Sequence, residues 1–161
     1  MRLYRIGPER WLPVLNARGG SFENGGRWNE PGDPVLYLGT SVSVAMLEMG
    51  NYLPSPRLVP ASYRVGIFEV PDDVVEHWSL AELPEDWNRF PHPVATRAMG
   101  SAWLRANRNL VLLVPSCAVP GGLENIAVIN PLHPRMGEVR LVDATQQAIY
   151  NPRAFSGLGD I

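Results

Sequence analysis

The stretch Gly25-Gly26-Arg27-Trp28-Asn29 puts a cation and two large polar-tipped side chains directly after a pair of glycines. Adjacent glycines accept positive φ and leave backbone N–H groups uncovered, so a ligand can approach the chain closely there. An arginine beside them offers a planar fork of donors that matches a phosphate or a carboxylate. Taken alone, the five residues read first as a tight turn with a surface arginine, because short motifs recur by chance. Their neighbours decide what the turn is for.

Asp33-Pro34 followed by Val35-Leu36-Tyr37-Leu38 predicts a turn leading into a short strand, and residues 41–49 predict a helix containing one acid, Glu48. In that helix Val42, Ala45, Met46 and Met49 form one stripe while Val44 and Leu47 occupy another side, so the helix is expected to be largely buried. Upstream, residues 3–6 have strand character and stop at Gly7-Pro8, and residues 9–15 predict a short helix interrupted near Pro13. Residues 16–34 carry too many glycines for an element interior and read as an irregular loop, the expected place of ligand contact.

Downstream, residues 51–60 hold three prolines and read as a loop, residues 62–70 as a strand, and residues 72–90 as a surface excursion with short helical pieces. The clearest helix is residues 92–107, where Ala95, Ala98, Met99, Ala102, Trp103 and Ala106 keep helical spacing opposite Arg97, Arg105 and Arg108. Residues 110–114, 125–129 and 139–142 are further strands. Separate short strands with about three helices argue an α+β fold rather than alternating βαβ units.

At 161 residues the chain suits one domain over 1–161, with 150–161 as a possible tail. That length buries about 70% of the unfolded surface without staples. The net charge of -2 argues against a nucleic-acid or membrane footprint and against an RNA-cleaving activity. One cysteine, Cys117, cannot form an internal disulfide, and no apolar run suggests a signal peptide or a membrane span, so the expected compartment is cytoplasmic.

Among residues that carry chemistry, Glu48 stands out. A carboxylate in an apolar helix is costly unless paired or used. Ser116 follows an apolar strand, but no Gly-x-Ser-x-Gly elbow surrounds it, so it is a poor nucleophile. Cys117 with His133 would make a thiol pair, yet a lone cysteine beside an apolar strand is usually packed. His77, His92 and His133 lack metal-ligand spacing, and no metal is expected. Arg5 is a second, weaker candidate for a phosphate contact. Neither a Walker loop nor a Gly-x-Gly-x-x-Gly motif is present, so a dinucleotide would not be held in the Rossmann manner.

In order along the chain stand the Gly-Gly-Arg-Trp-Asn turn, the Tyr37-Leu38 strand end, the helix with Glu48, Val114-Pro115-Ser116, and Asn125 to Pro134 with its Asn130-Pro131-Leu132-His133-Pro134. Together they resemble the RES domain, a toxin family of bacterial toxin-antitoxin pairs, over roughly residues 2–145. The resemblance implies a fold like that of the ADP-ribosyltransferases, with central mixed or antiparallel sheets and flanking helices. It implies that the protein consumes NAD, by hydrolysis or phosphorolysis, with ADP-ribosylation of a protein or a non-catalytic binding module as alternatives. Glu48 would be catalytic, Arg27 would hold the pyrophosphate, and Tyr37 would stack on the nicotinamide. Ser116 would bond the carboxamide or an entering phosphate, and Gly26, Trp28 and Asn29 would complete the binding site. The implied partner is an Xre-like helix-turn-helix antitoxin, with the arginines of the 92–107 helix or the C-terminal tail in the interface.

Overall fold

The computed structural model describes residues 1–53, 55 and 58–151. The expected tail thus lies almost wholly outside the described residues, as does part of the 51–60 loop. Seven strands form one sheet: β1 (Arg2–Pro8), β2 (Leu36–Gly39), β3 (Tyr63–Glu69), β4 (Val75–His77), β5 (Val111–Pro115), β6 (Asn125–Ile129) and β7 (Arg140–Asp143). Their order is β4-β5-β6-β2-β1-β3-β7. Every pairing is antiparallel except β4 with β5. Three α-helices are described: α1 (Gly20–Asn24), α2 (Val42–Gly50) and α3 (Val94–Ala106). The α+β reading therefore holds.

Both faces of the sheet are covered, which explains the unbroken apolar run of β5. Val111 points into a core with Leu3, Leu36, Leu38, Phe68 and Ile129. Leu112 and Val114 point the other way, into a core with Trp28, Val35, Trp103, Leu104 and Val128. Strand residues two apart share a face, so a strand buried on both sides shows no alternation. By the same rule Arg5 shares the face of Leu3. Tyr37 packs with the Trp28 core and shares its face with Gly39, where α2 also sits, because a Cβ on Gly39 would lie 2.7 Å from the Ala45 nitrogen. Arg5 is thereby on the opposite face from Glu48, and it is not part of one site with Arg27.

Four local expectations fail. Residues 9–15 form only a 3-10 turn, Glu9–Trp11, because Pro13 withholds a donor and disfavours helix before it. The glycine-rich loop contains α1, begun at Gly19-Gly20 and ended at Gly25, whose φ is 74°. The 72–90 excursion contains β4, three residues long and too short to show a period. Helix α2 is buried on one side only: Val44, Ala45 and Met49 are buried, while Val42 and Leu47 are exposed.

Helix α3 differs most. The expected stripe of alanines is exposed, and the buried residues are Thr96, Gly100, Ser101, Trp103 and Leu104. Small residues face inward because the Gly25–Asn29 turn passes directly beneath. A Cβ on Gly100 would stand 2.1 Å from the Trp28 carbonyl oxygen, and Ser101 Oγ accepts from the Glu30 N–H at 2.8 Å. Asn107, at φ 52°, ends the helix in a left-handed cap whose N–H donates to the Trp103 carbonyl. Trp103 and Trp78 both donate their indole N–H groups to Glu76, at 2.9 Å each, and this ties α3 to β4.

Gly100→Ala should destabilise the protein by about 3 kcal/mol, at the upper end for overpacking, which lowers Tm by roughly 6–12 °C in a domain of this size. Gly137→Ala, with open space around the new Cβ, should shift Tm by no more than about 2 °C. Thermal melts of the two variants and the parent check this.

Candidate active site

Glu48 sits in the last turn of α2, which Ser41 starts by accepting from the Val44 N–H at 3.1 Å. The expected isolated carboxylate is in fact bonded on both oxygens. Oε1 accepts from Ser116 Oγ at 2.6 Å and Oε2 from Asn51 Nδ2 at 3.4 Å. Ser116 stands just past the end of β5, is fully buried, and accepts from the Ala118 N–H at 3.1 Å. Its hydroxyl proton goes to Glu48. Ser116 thus meets Glu48 directly and, at 0% exposure, presents no surface of its own in this structure.

Arg27 leaves the turn toward residues 87–89. Its Nη1 donates to the backbone carbonyls of Trp87 at 2.5 Å and Arg89 at 2.8 Å, and no carboxylate among the described residues makes an ion pair with it. Arg27 and Glu48 share two neighbours. The Cys117 thiol is pushed up to about 11, first by desolvation and also by the Glu48 charge, with Arg27 pulling the other way. Desolvation and then Glu48 raise the Tyr52 hydroxyl, again opposed by Arg27. A thiol that high stays protonated near neutral pH, which removes Cys117 as a nucleophile. A cavity of about 160 Å³ adjoins Cys117, lined also by Leu80, Trp87, Asn88 and Gly121.

Tyr37 lies beneath the turn. Its hydroxyl donates to Asn29 Oδ1 at 2.8 Å and accepts from the Trp28 N–H at 3.2 Å. Burial raises its pKa well above the ordinary phenol value, so it remains neutral. Gly26 makes this possible: a Cβ there would lie 2.7 Å from Asn29 Oδ1 and 2.9 Å from the Tyr37 hydroxyl. Trp28 and Asn29 are both 0% exposed, and the Asn29 amide donates to the Ser21, Glu30 and Asp33 carbonyls. Neither side chain has surface to offer a ligand. They shape the turn that presents Arg27, because a buried indole and a fully bonded amide lock its path.

Of the remaining candidates, Asn130 ties the Leu104 carbonyl and Asn107 to the Leu132 N–H, and His133 Nδ1 accepts from the Arg135 N–H at 3.2 Å. The Asn-Pro-Leu-His-Pro stretch is thus a bonded turn behind α3. Arg105 is ion-paired with Glu30 and Asp33, both at 2.9 Å, on the exposed face of α3. Among the described residues no cluster of three or more His, Cys, Asp and Glu is placed to hold a metal ion, and no helix is long and apolar enough to cross a membrane. Sequence reasoning missed Asn51 and Tyr52, although they follow Glu48 at i+3 and i+4, the spacing that makes helical neighbours.

A family model for the RES domain matches residues 2–151. The chain belongs to the RES domain family. Curated relatives include a "Toxin Res" of Yersinia enterocolitica serotype O:8 / biotype 1B, 35% identical over 83% of this chain and 86% of that protein. Another is the "Prs ADP-ribosylating toxin" of a Sphingobium strain, 36% identical over 83% of each chain. A solved structure, the M. tuberculosis MbcT-MbcA toxin-antitoxin complex, matches 90% of this chain and 82% of that chain with a TM-score of 0.69 at 21% identity. That likeness is one of fold. Within this RES domain, Glu48 and Ser116, 68 residues apart in sequence, are joined only by folding.

Ser116→Ala removes the donor to the part-buried Glu48 carboxylate oxygen, so it should destabilise by about 1 kcal/mol. In a double-mutant cycle with Glu48→Gln, the two losses should be coupled by at least about 0.5 kcal/mol. Urea denaturation of the four proteins measures the coupling, and strict additivity would count against the contact.

Proposed function

We propose that this protein is an NAD-consuming toxin of a type II toxin-antitoxin system that breaks the bond between nicotinamide and the anomeric carbon of the ribose. The observation that carries the reading is Glu48, a carboxylate fixed by the buried Ser116 hydroxyl at 2.6 Å and sharing its neighbours Cys117 and Tyr52 with Arg27, which makes no ion pair among the described residues. Nicotinamide leaves as a neutral base, and positive charge develops on the ribose as in glycoside cleavage. A single carboxylate held in place stabilises that charge and accepts from the ribose 2'-hydroxyl, so no general acid is needed. The Ser116 bond means that Glu48 does not have to reorganise as the charge forms.

Arg27 binds the pyrophosphate with the guanidinium edge not used on the 87–89 carbonyls, and Tyr37 acts as the floor of the site through its neutral ring. Water or phosphate then takes the ribosyl carbon. ADP-ribosyl transfer to a protein is the second reading, favoured by the name of the Sphingobium relative. For the partner we propose an Xre-like helix-turn-helix antitoxin that covers the site. The exposed Tyr52, which lies in the fields of both Glu48 and Arg27, offers such a contact.

Incubation of the pure protein with NAD, with and without phosphate, should release nicotinamide, and the second product names the acceptor: ADP-ribose for water, its 1-phosphate for phosphate. Glu48→Gln keeps size and most hydrogen bonding, so NAD should still bind while turnover falls by about two to three orders of magnitude, roughly 2.7–4 kcal/mol of barrier. Arg27→Ala should mainly raise KM, because phosphate charge does not change during the reaction. Full NAD consumption by a folded Glu48→Gln protein would reduce the carboxylate to a structural part.

A further inference from the structure

Two arginines bond at and around the Gly25-Gly26 turn, and neither makes an ion pair among the described residues. Arg27 leaves the turn and holds the Trp87 and Arg89 carbonyls. Arg97, on the first turns of α3, points back and donates from Nε to the Gly26 carbonyl at 3.2 Å. Arg105, two turns further along α3, behaves differently. Arg105 pairs with Glu30 and Asp33, whereas Arg27 and Arg97 make no ion pair among the described residues. Backbone carbonyls satisfy N–H donors but do not neutralise charge. Drawing two unneutralised guanidinium groups together is unfavourable unless something anionic is received there.

Both arginines act on His92, whose ring meets the Phe90 ring edge-on at 5.4 Å. Its Nδ1 is buried without a partner. Burial, and then the charges of Arg27 and Arg97, depress its pKa below the ordinary imidazole value. Those two arginines are the charged groups that act on the ring, and no acid is among them. The Tyr37 hydroxyl under the turn also lies in the field of both arginines. The positive potential is therefore local to the turn, and it survives in a protein whose net charge is -2.

We propose that Arg97 is a second phosphate-binding residue, which with Arg27 forms a two-guanidinium subsite for a phosphate group at the Gly25-Gly26 turn. The naming of that group as the pyrophosphate of NAD rests on the proposed function; the cation pair does not. Two guanidinium forks suit the two phosphates of a dinucleotide better than one fork, since each offers a flat pair of donors. Arg97 contributes its Nη edge to the ligand while its Nε keeps the turn in place.

The test is titration calorimetry of the full chain with ADP-ribose, inorganic pyrophosphate, inorganic phosphate and adenosine, for the parent, Arg97→Gln and Arg97→Lys. ADP-ribose affinity should fall at least about tenfold in Arg97→Gln, the scale of one charge-assisted bond. It should fall less in Arg97→Lys, and adenosine should bind all three proteins alike. Loss of phosphate or pyrophosphate binding with ADP-ribose unaffected would assign the subsite to the free anion and still support it. These arms need no turnover, so they stand even if the protein does not cleave NAD.

His92 gives an independent readout in the parent protein. A bound phosphate offsets the two cations and raises the His92 pKa, so binding takes up protons and tightens as pH falls through the bound-state value. NMR titration of the imidazole with and without ADP-ribose should show that upward shift. Unchanged ADP-ribose and pyrophosphate affinity in a folded Arg97→Gln protein, or a His92 titration indifferent to both ligands, overturns the proposal and leaves Arg97 as a strut for Gly26.

Discussion

Helix α3 lies so close to the backbone at Trp28 that no side chain fits between them. Gly100 meets the Trp28 carbonyl, and Ser101 takes the next free N–H, that of Glu30. This contact presses the Gly25–Asn29 turn between helix and sheet and buries Trp28 in the second core. Tyr37 supports the turn from below through Asn29 and the Trp28 N–H. A displaced α3 would release the turn, and with it the geometry of every group around it. Interiors packed to this density transmit displacement rather than absorb it.

The second half of the site is assembled on the other side of the same sheet face. Gly39 allows α2 to sit on the end of β2, and that placement carries Glu48 to Ser116. The carboxylate is thus oriented by a buried hydroxyl, and the arginines are oriented by carbonyls. Neither sign of charge is neutralised by the other through a direct ion pair. A paired Arg27 and Glu48 would have quenched each other. Held apart, each keeps its charge, which suits the proposed NAD substrate with its phosphates and developing cation.

Much of the architecture was legible in the residues. Strands β1, β2, β3, β5, β6 and β7 and helices α2 and α3 follow from apolar runs, turn residues and helical spacing. What was missed is short or depends on distant partners. Strand β4 has three residues and pairs only because β5 is there. The inward face of α3 was misassigned because alanines score as apolar, while the true contact needs Gly100 and Ser101 for closeness rather than hydrophobicity. The same cause hid the role of Trp28 and Asn29: their motif was readable, but their complete burial follows from a helix some 70 residues away.

By itself the sequence determined the α+β class, the order of the elements, the membership of the RES domain family and the identity of Glu48, Arg27, Tyr37 and Ser116 as a set worth joining. These properties are carried by local periodicity and by residue type, which act over a few positions. Only the tertiary structure decided that Ser116 donates to Glu48 from a buried position, that Arg5 belongs to the opposite face, that Arg105 is paired, and that Arg97 joins Arg27 at the turn. Such facts depend on which groups meet across 60 or more residues of chain. Hydrogen bonds and uncompensated charges depend on distance in space, and spacing along a chain does not encode that distance until the sheet and its two helices have closed around it.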